Sequence, residues 1–554
     1  MADPQLSNVL AQAFVAEGVD TLFTLMGDAN MYWSVEMAQQ PGMRVIHARH
    51  EHCACTMADA WSRYTGRVGV ASVTCGPGYT QIMTALAIAS RAGSPMVVFA
   101  GDAPQGAAWY LQDIDQAPLA HATGAHHIAI RSVDRALDCV REAFVIAQVE
   151  RRPVVLGVPL DLQREAFPYP PDYMPSKTAV PVPQRPQPDP ELVDRVVDMI
   201  AEAKRPILIG GRGALRSGAG KALEAVAERA GALLATSLLA KGLFEGNPYN
   251  LDIAGAFASD LSREYFAESD LVIGVGAGLG HYTTEGGYLY PEAKVVQVDT
   301  NPRGIWQGLR TADLHVRADA KAAAEALVAR LDARGVARQG YRSGEIADAI
   351  AADSPDSKQF QVQPGTLDPR ETMRELDAVI PKDWDIVVGG GHYFSFVMTH
   401  MRGRAAERFH VVNDFGAIGS GFSAAIAVAL ARGDGKVVLF EGDGSMLMHI
   451  QEMETMRRHG VRLLTCVMND GGYGAEFHKF RAKGVEDKEA IHGRGDLAAV
   501  ARGFGLRGEQ VTQKGRFDAL LREHNAAEGS TLLDIHIDDR IPSRAYRRVH
   551  FGEI

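Results

Sequence analysis

The chain is poor in the features that mark several whole classes of protein. Aromatic residues make up only 7% of its 554 positions, and cysteine occurs five times, at Cys53, Cys55, Cys75, Cys139 and Cys466. An odd number of cysteines with no C-x-x-C pair argues against a disulfide framework and against a zinc or redox motif of the usual spacing, so they read as reduced thiols. There is no basic excess either. Lys+Arg 57 against Asp+Glu 68 leaves a formal net charge of −11, a bulk field that repels polyanions and argues against a nucleic-acid partner. No uninterrupted apolar run approaches the ~20 residues needed to cross a bilayer. The first residues, MADPQLSNVLAQAFVAEGVDTLF, lack the basic start and continuous apolar core of a signal peptide, so a cytoplasmic location without a membrane partner is expected.

What is present is the profile of a globular chain, 46% hydrophobic and 23% charged, long enough for about three domains of ~100–200 residues. Proline is so dense from Phe167 to Pro190 that neither helix nor central strand is expected to persist there. A second, polar break follows an Ala-rich helical stretch. These breaks predict domains at 1–166, 191–350 and 366–554, joined by linkers at 167–190 and 351–365. Each block repeats one grammar, a short apolar β-rich run ending in glycine or an acid and followed by an amphipathic stretch. VGVASV, PMVVFAG and PVVLGVP fill this role in the first block, PILIGG, LVIGVG and KVVQVD in the second, and DIVVGGG, KVVLFEGDG and RLLTCVMND in the third. Continuous apolar strands alternating with helices predict an α/β fold of three doubly wound parallel sheets, with ligand sites at the carboxyl ends of the strands.

The most informative segment is VVLF followed by Glu441-Gly442-Asp443-Gly444-Ser445, then a helical stretch carrying Met446, Ile450, Met453 and Met456. The glycines let a ligand approach the backbone, and a carboxylate beside a diphosphate requires a hard cation such as Mg²⁺ between them. The next predicted strand ends in Asn469-Asp470-Gly471-Gly472-Tyr473-Gly474, so neighbouring strands could present Asp443 and Asp470 to one ion. Taken singly, these loops could be mere tight turns. Together they resemble the signature of the thiamine diphosphate (ThDP) enzymes of the pyruvate decarboxylase and acetohydroxyacid (acetolactate) synthase superfamily, which begins GDG and ends in NN or ND. The three-block layout is similar to that family's pyrimidine-binding, central and diphosphate-binding domains. The resemblance implies that Asp443, Asp470 and the Gly472 carbonyl hold Mg²⁺, and that Gly442, Gly444, Ser445, Tyr473 and Gly474 line the cofactor. Many relatives carry asparagine where this chain has Asp470.

Other segments extend the resemblance. Glu51, in VIHARHEHCACTMADAW, matches the glutamate that bonds the pyrimidine ring of ThDP, and Pro77 lies in the TCGPG that follows as in the family. Gly391 and His392 match a first diphosphate loop, and Ile418 the bulky residue that props the cofactor. On the substrate side, Asp28 in Gly27-Asp28-Ala29-Asn30 and Glu476 resemble the two acids of 2-oxo acid decarboxylases, whereas Gln112 resembles the glutamine of carboligases. The paired histidines of the decarboxylases are not where the pattern would put them, and the adjacent His126 and His127 read as strand residues. His281 is a candidate to enter the site from the central domain. There, Ile209 to Gly231 reads as a strand, glycine loop and helix of the kind that holds FAD or ADP in some relatives and nothing in others.

The resemblance thus implies a ThDP- and Mg²⁺-dependent lyase or carboligase acting on a 2-oxo acid, in a homodimer or homotetramer with active sites at the subunit interface. Acetolactate synthase-like carboligation stands first. A simple decarboxylase releasing an aldehyde and an oxalyl-CoA decarboxylase-like lyase are the alternatives. A nicotinamide or flavin oxidoreductase would need a GxGxxG fingerprint, which neither central glycine loop has.

Overall fold

The computed structural model describes residues 3–168, 172–179, 184–301 and 312–553. Among these it contains three six-stranded sheets, parallel throughout. The first is built from β1 (Thr21–Thr24), β2 (Arg44–His47), β3 (Gly69–Val73), β4 (Met96–Asp102), β5 (His126–Ala129) and β6 (Pro153–Pro159). The central sheet comprises β7 (Pro206–Gly210), β8 (Leu233–Thr236), β9 (Asn250–Ile253), β10 (Leu271–Val275), β11 (Lys294–Asp299) and β12 (Leu314–Arg317). The third comprises β13 (Asp385–Val388), β14 (Phe409–Val411), β15 (Val437–Gly442), β16 (Leu464–Asn469), β17 (Arg507–Val511) and β18 (Thr531–His536). Valine, isoleucine and leucine fill the inner strands, and β3, β7, β10, β15 and β16 are buried along their whole length, as parallel strands covered on both faces must be. The predicted α/β class is what the structure has.

The strand orders carry more information than the class. The first sheet runs β2-β1-β3-β4-β6-β5 and the third β14-β13-β15-β16-β18-β17, which is the same order repeated; the central sheet runs β12-β11-β10-β7-β8-β9 and differs. The helix after the second strand of the first unit, Glu51–Thr65, packs along the helix after the second strand of the third, Ser420–Arg432. Both are rich in small residues, alanine above all, and are buried almost end to end, so the two backbones approach closely and one apolar core runs through both units. The central unit keeps its own two apolar clusters, one on each face of its sheet.

Asp414 ties the three units together. Its buried carboxylate accepts from Arg63 of the first unit at 2.7 Å and from Arg212 of the central unit at 2.6 Å. The proline-rich segment is not wholly irregular, since Ser176–Ala179 forms a single helical turn and Pro190 opens a helix by lacking the N–H that a first turn leaves unpaired. Residues 169–171 and 180–183 of that segment lie outside the described residues. The polar 351–365 stretch is anchored rather than free, because Asp356 is buried against Arg370 and Arg547. No helix among the described residues is long and apolar enough to cross a membrane.

Candidate active site

A cavity of ≈ 770 Å³ opens at the carboxyl edge of the third sheet. Strands β15 and β16 pair in parallel with Gly442 opposite Met468, so the residues just beyond their ends are neighbours. Asp443 begins the short helix Asp443–Met448, and Asp470 begins the turn after β16. The glycine at 471 adopts φ +80°, a left-handed conformation that a side chain would strain, and this aims its N–H at Asp443 Oδ2, 3.0 Å away. Gly474 is needed for a different reason. A Cβ there would stand 2.4 Å from Asp470 Oδ2.

The two carboxylates are buried and close enough to repel one another. Burial pushes Asp443 up to about 6, and burial with the adjacent Asp443 charge pushes Asp470 well above the usual carboxylate range. Two oxygen donors carrying an uncompensated charge, beside the Gly472 carbonyl, are what a hard divalent ion satisfies, so the residues fit Mg²⁺. Gly391, His392, Ile418, Gly442, Gly444, Ser445, Tyr473, Gly474 and Glu476 line the same cavity. The structure thus brings together every sequence-predicted residue of the third unit. Ser445 also braces the site, accepting from the Gly419 N–H at 2.7 Å.

His392 is there in a form the sequence did not indicate. Its Nε2 accepts from the Ser543 N–H at 2.9 Å, which leaves the proton on Nδ1, and complete burial holds it well below the ordinary histidine range. It can meet a ligand only as a neutral donor. The helical stretch from Met446 to Met456 is also not continuous. It breaks at His449, where φ −133° ends one helix before Glu452–Arg458 begins.

Sequence reasoning passed over Glu441, which is fully buried and accepts from the Tyr393 hydroxyl at 2.6 Å. Burial pushes it up to about 7, and its second oxygen has no partner. The signal was available: an acid inside the apolar strand VVLFEG is costly to bury and needs a reason. Tyr282, Thr283 and Tyr546, which close the cavity from the central unit and the carboxyl-terminal helix, carried no local signal.

The predicted residues of the first unit stand elsewhere, at the carboxyl edge of the first sheet. Glu51 opens its helix with Oε1 lying 3.3 Å from where a Gly78 Cβ would be, beside Pro77 at the start of Pro77–Thr80. The Gly27–Asn30 loop is latched to β3, since Asn30 donates to Ser72 Oγ at 2.9 Å and the Ala29 N–H donates to Thr74 Oγ1 at 3.1 Å. That leaves Asp28 exposed at the rim. Gln112 lies over the Cys75-Gly76 turn, where a Cβ on Gly76 would strike its carbonyl at 2.5 Å. None of these four residues lines the third-sheet cavity. His126 and His127 are strand residues of β5, as expected.

In the central unit the expected strand, glycine loop and helix are present, but the loop is closed. The Gly211 N–H donates to Val275 O at 2.9 Å and the Gly213 N–H to Gly276 O at 2.8 Å, and a Cβ on Gly276 would lie 2.2 Å from Ala214 N. Those amides are not free to cradle the diphosphate of FAD or ADP, so the residues do not fit such a group at this loop. His281 does not reach the cavity. It sits exposed at the head of His281–Thr284, and the next two residues line the wall in its place.

Comparison with known proteins agrees with this division. Three family models match in order: the thiamine pyrophosphate enzyme N-terminal TPP binding domain over residues 4–119, the central domain over 193–327, and the C-terminal TPP binding domain over 389–535. Curated relatives match along nearly the whole chain. A putative acetolactate synthase large subunit of Mycobacterium tuberculosis is 29% identical, covering 92% of this chain and 93% of its own length. The acetolactate synthase large subunit of Parasynechococcus marenigrum is 29% identical over 95% of this chain and 86% of its own, and a probable one from Methanocaldococcus jannaschii is 26% identical over 96% and 92%. The chain belongs to the thiamine pyrophosphate-dependent enzymes.

Proposed function

We propose that the chain is a ThDP- and Mg²⁺-dependent carboligase of the acetolactate synthase kind, which decarboxylates a 2-oxo acid and joins the acyl fragment to a second carbonyl. The reading is supported above all by the split between the two sheet edges. Asp443, Asp470 and the Gly472 carbonyl are suited to hold a magnesium diphosphate, while Glu51 stands at a different edge, outside their cavity. One cofactor would be gripped at both ends only if the first edge of one copy met the third edge of another. The exposed apolar side chains support that arrangement, with Met26, Trp109 and Leu111 beside the first edge and Phe415, Leu447, Met448 and Tyr473 beside the third. Homodimers, or homotetramers made from them, follow from this reading; the cytoplasmic location expected from the sequence is kept as part of the same proposal.

ThDP, when bound, supplies the electron sink for cleaving the bond next to a keto carbon. The chain's own part is orientation and proton handling. Glu51 would hold a proton against the pyrimidine ring. Ile418 would prop the cofactor from below, and neutral His392 would donate Nδ1–H toward the diphosphate without adding charge. Gln112 and Asp28, arriving from the first edge, would face the substrate, with Glu476 opposite them on the third. Glu476 at the cavity wall favours a second reading, simple decarboxylation with release of an aldehyde after protonation by that carboxyl. FAD and ADP are assigned no step.

The test is a product screen with pyruvate, longer 2-oxo acids and oxalyl-CoA, using Glu51→Gln as the blank. Acyloin or acetohydroxyacid products are expected. Aldehyde alone would replace carboligation by decarboxylation, and turnover of the thioester alone would displace both.

A further inference from the structure

Away from the cavity, the first and third units meet in a seam rich in histidine. His50 caps the Glu51–Thr65 helix, its Nδ1 accepting from the His52 N–H at 3.1 Å, which leaves Nε2 without that duty. Cys53 lies one turn into the same helix and is completely buried. His449, at the break after the GDGS helix, has Nδ1 3.2 Å from the Gly419 carbonyl. A carbonyl can only accept, so the proton sits on Nδ1 and Nε2 keeps its lone pair. An imidazole nitrogen of His50, an imidazole nitrogen of His449 and Cys53 Sγ, one donor atom from each residue, lie within 4.8 Å of one another.

We infer that His50, Cys53 and His449 form a metal site for a borderline-soft divalent ion, zinc above all. It is distinct from the Asp443–Asp470 pair and independent of the function proposed for that pair. A tetrahedral zinc with bonds of about 2.0–2.3 Å holds its ligands roughly 3.3–3.8 Å apart, so the three atoms need close by only about 1 Å. Two imidazoles and a thiolate suit zinc and not magnesium or calcium, which demand oxygen. The surroundings are prepared as well. His52 stacks on His449 with centroids 4.8 Å apart and planes 9° apart, while its Nε2 meets Ser420 Oγ at 3.0 Å, so the ligand ring is held in place. The Gly419 carbonyl behind His449 plays the part that outer partners play for metal-bound histidines.

Charge balances at the site as well. Glu452 is fully buried against Cys53, with one oxygen accepting from the Arg49 N–H at 2.9 Å and the other from Thr455 Oγ1 at 2.6 Å. A divalent ion, one thiolate and this carboxylate sum to zero in a seam where an uncompensated charge is expensive. His50 and Cys53 are three residues apart but His449 lies almost four hundred residues further on, and there is no C-x-x-C pair, so no complete spacing motif announces the set. With three protein ligands a fourth position stays open. The ion would fasten the residue preceding Glu51 to the loop that follows the GDGS helix.

The experiment uses untagged full-length enzyme with ThDP and Mg²⁺, stripped of other metals by a chelator and titrated with Zn²⁺ against a chromophoric competitor. One zinc per chain is expected to survive gel filtration, with affinity at least tenfold lower in Cys53→Ser and in His449→Asn and unchanged in Asp443→Ala. Loading with Co²⁺ should give a thiolate-to-cobalt charge-transfer band that Cys53→Ser removes. Equal zinc binding by wild type and both ligand variants, or a cobalt spectrum without the thiolate band, overturns the site. Should Cys53→Ser fail to fold, His449→Asn alone decides.

Discussion

The first and third sheets have the same strand order and opposite chemistry at their carboxyl edges. The third edge pairs two buried carboxylates among closely packed glycines, whereas the first offers a single helix-opening glutamate among threonine, cysteine and glutamine. A shared fold fixes where a loop emerges but not what it carries. Both edges are nonetheless braced across long stretches of chain, the third by the Ser543 N–H on His392 and the first by Gln163, whose amide donates to the Ala29 carbonyl.

This contrast can be broken experimentally, and the largest effect should come from the third edge. Asp443→Ala should abolish magnesium-dependent ThDP binding in calorimetry, with activity lost by more than about a hundredfold. Glu51→Gln should leave binding nearly intact and lower turnover by about 10²–10⁴-fold. If Glu51→Gln instead abolishes binding, the two edges are not specialised as described. Mixing the two inactive variants, unfolded and refolded together, should restore about one quarter of wild-type activity, since half the dimers are mixed and each has one intact site. No recovery would mean that both edges act within a single chain.

Smaller effects concern how the units are held. Asp414→Ala leaves Arg63 and Arg212 without their shared partner and should cost about 3 kcal/mol, read as a lower midpoint in denaturant unfolding. An unchanged midpoint would remove Asp414 as the tie between the units. Mild acid should then separate the first and third units. His400 and His524 of the third unit are pushed by burial down to about 4 and His478 to about 3, whereas in the first unit His52, at the seam with the third, is pushed to about 3 and His126 and His127 are lowered but only half-buried. A depressed histidine pKa favours folding while the ring is neutral. That contribution is complete above pH 6.5 and falls with acidification toward the folded value, by about 1.4 kcal/mol per pH unit for each ring. Hydrogen exchange at pH 5 should therefore show the third sheet loosening before the first, and the reverse order would refute it.

Much of this was legible in the residues because it is local. Asp443 and Asp470 stand just beyond apolar strands, where chain grammar alone predicts a ligand edge, and Glu51 sits at a strand-to-helix junction. What escaped depends on contacts between distant segments. That His392 is a neutral donor is decided by Ser543, about 150 residues away. The closure of the Gly211 loop is decided by Gly276. The break at His449 is set by its packing against Gly419 and His52, where helix propensity alone would have carried on. The duplicated strand order was invisible because pairing order is a property of space rather than of sequence.

The core shared by the Glu51–Thr65 and Ser420–Arg432 helices has a consequence in time. During synthesis the first helix leaves the ribosome with its apolar sides uncovered, and its partner follows only after several hundred more residues, at ~5–20 residues per second about tens of seconds later. For that interval the nascent first unit displays a greasy, cysteine-bearing surface with nothing of its own to cover it.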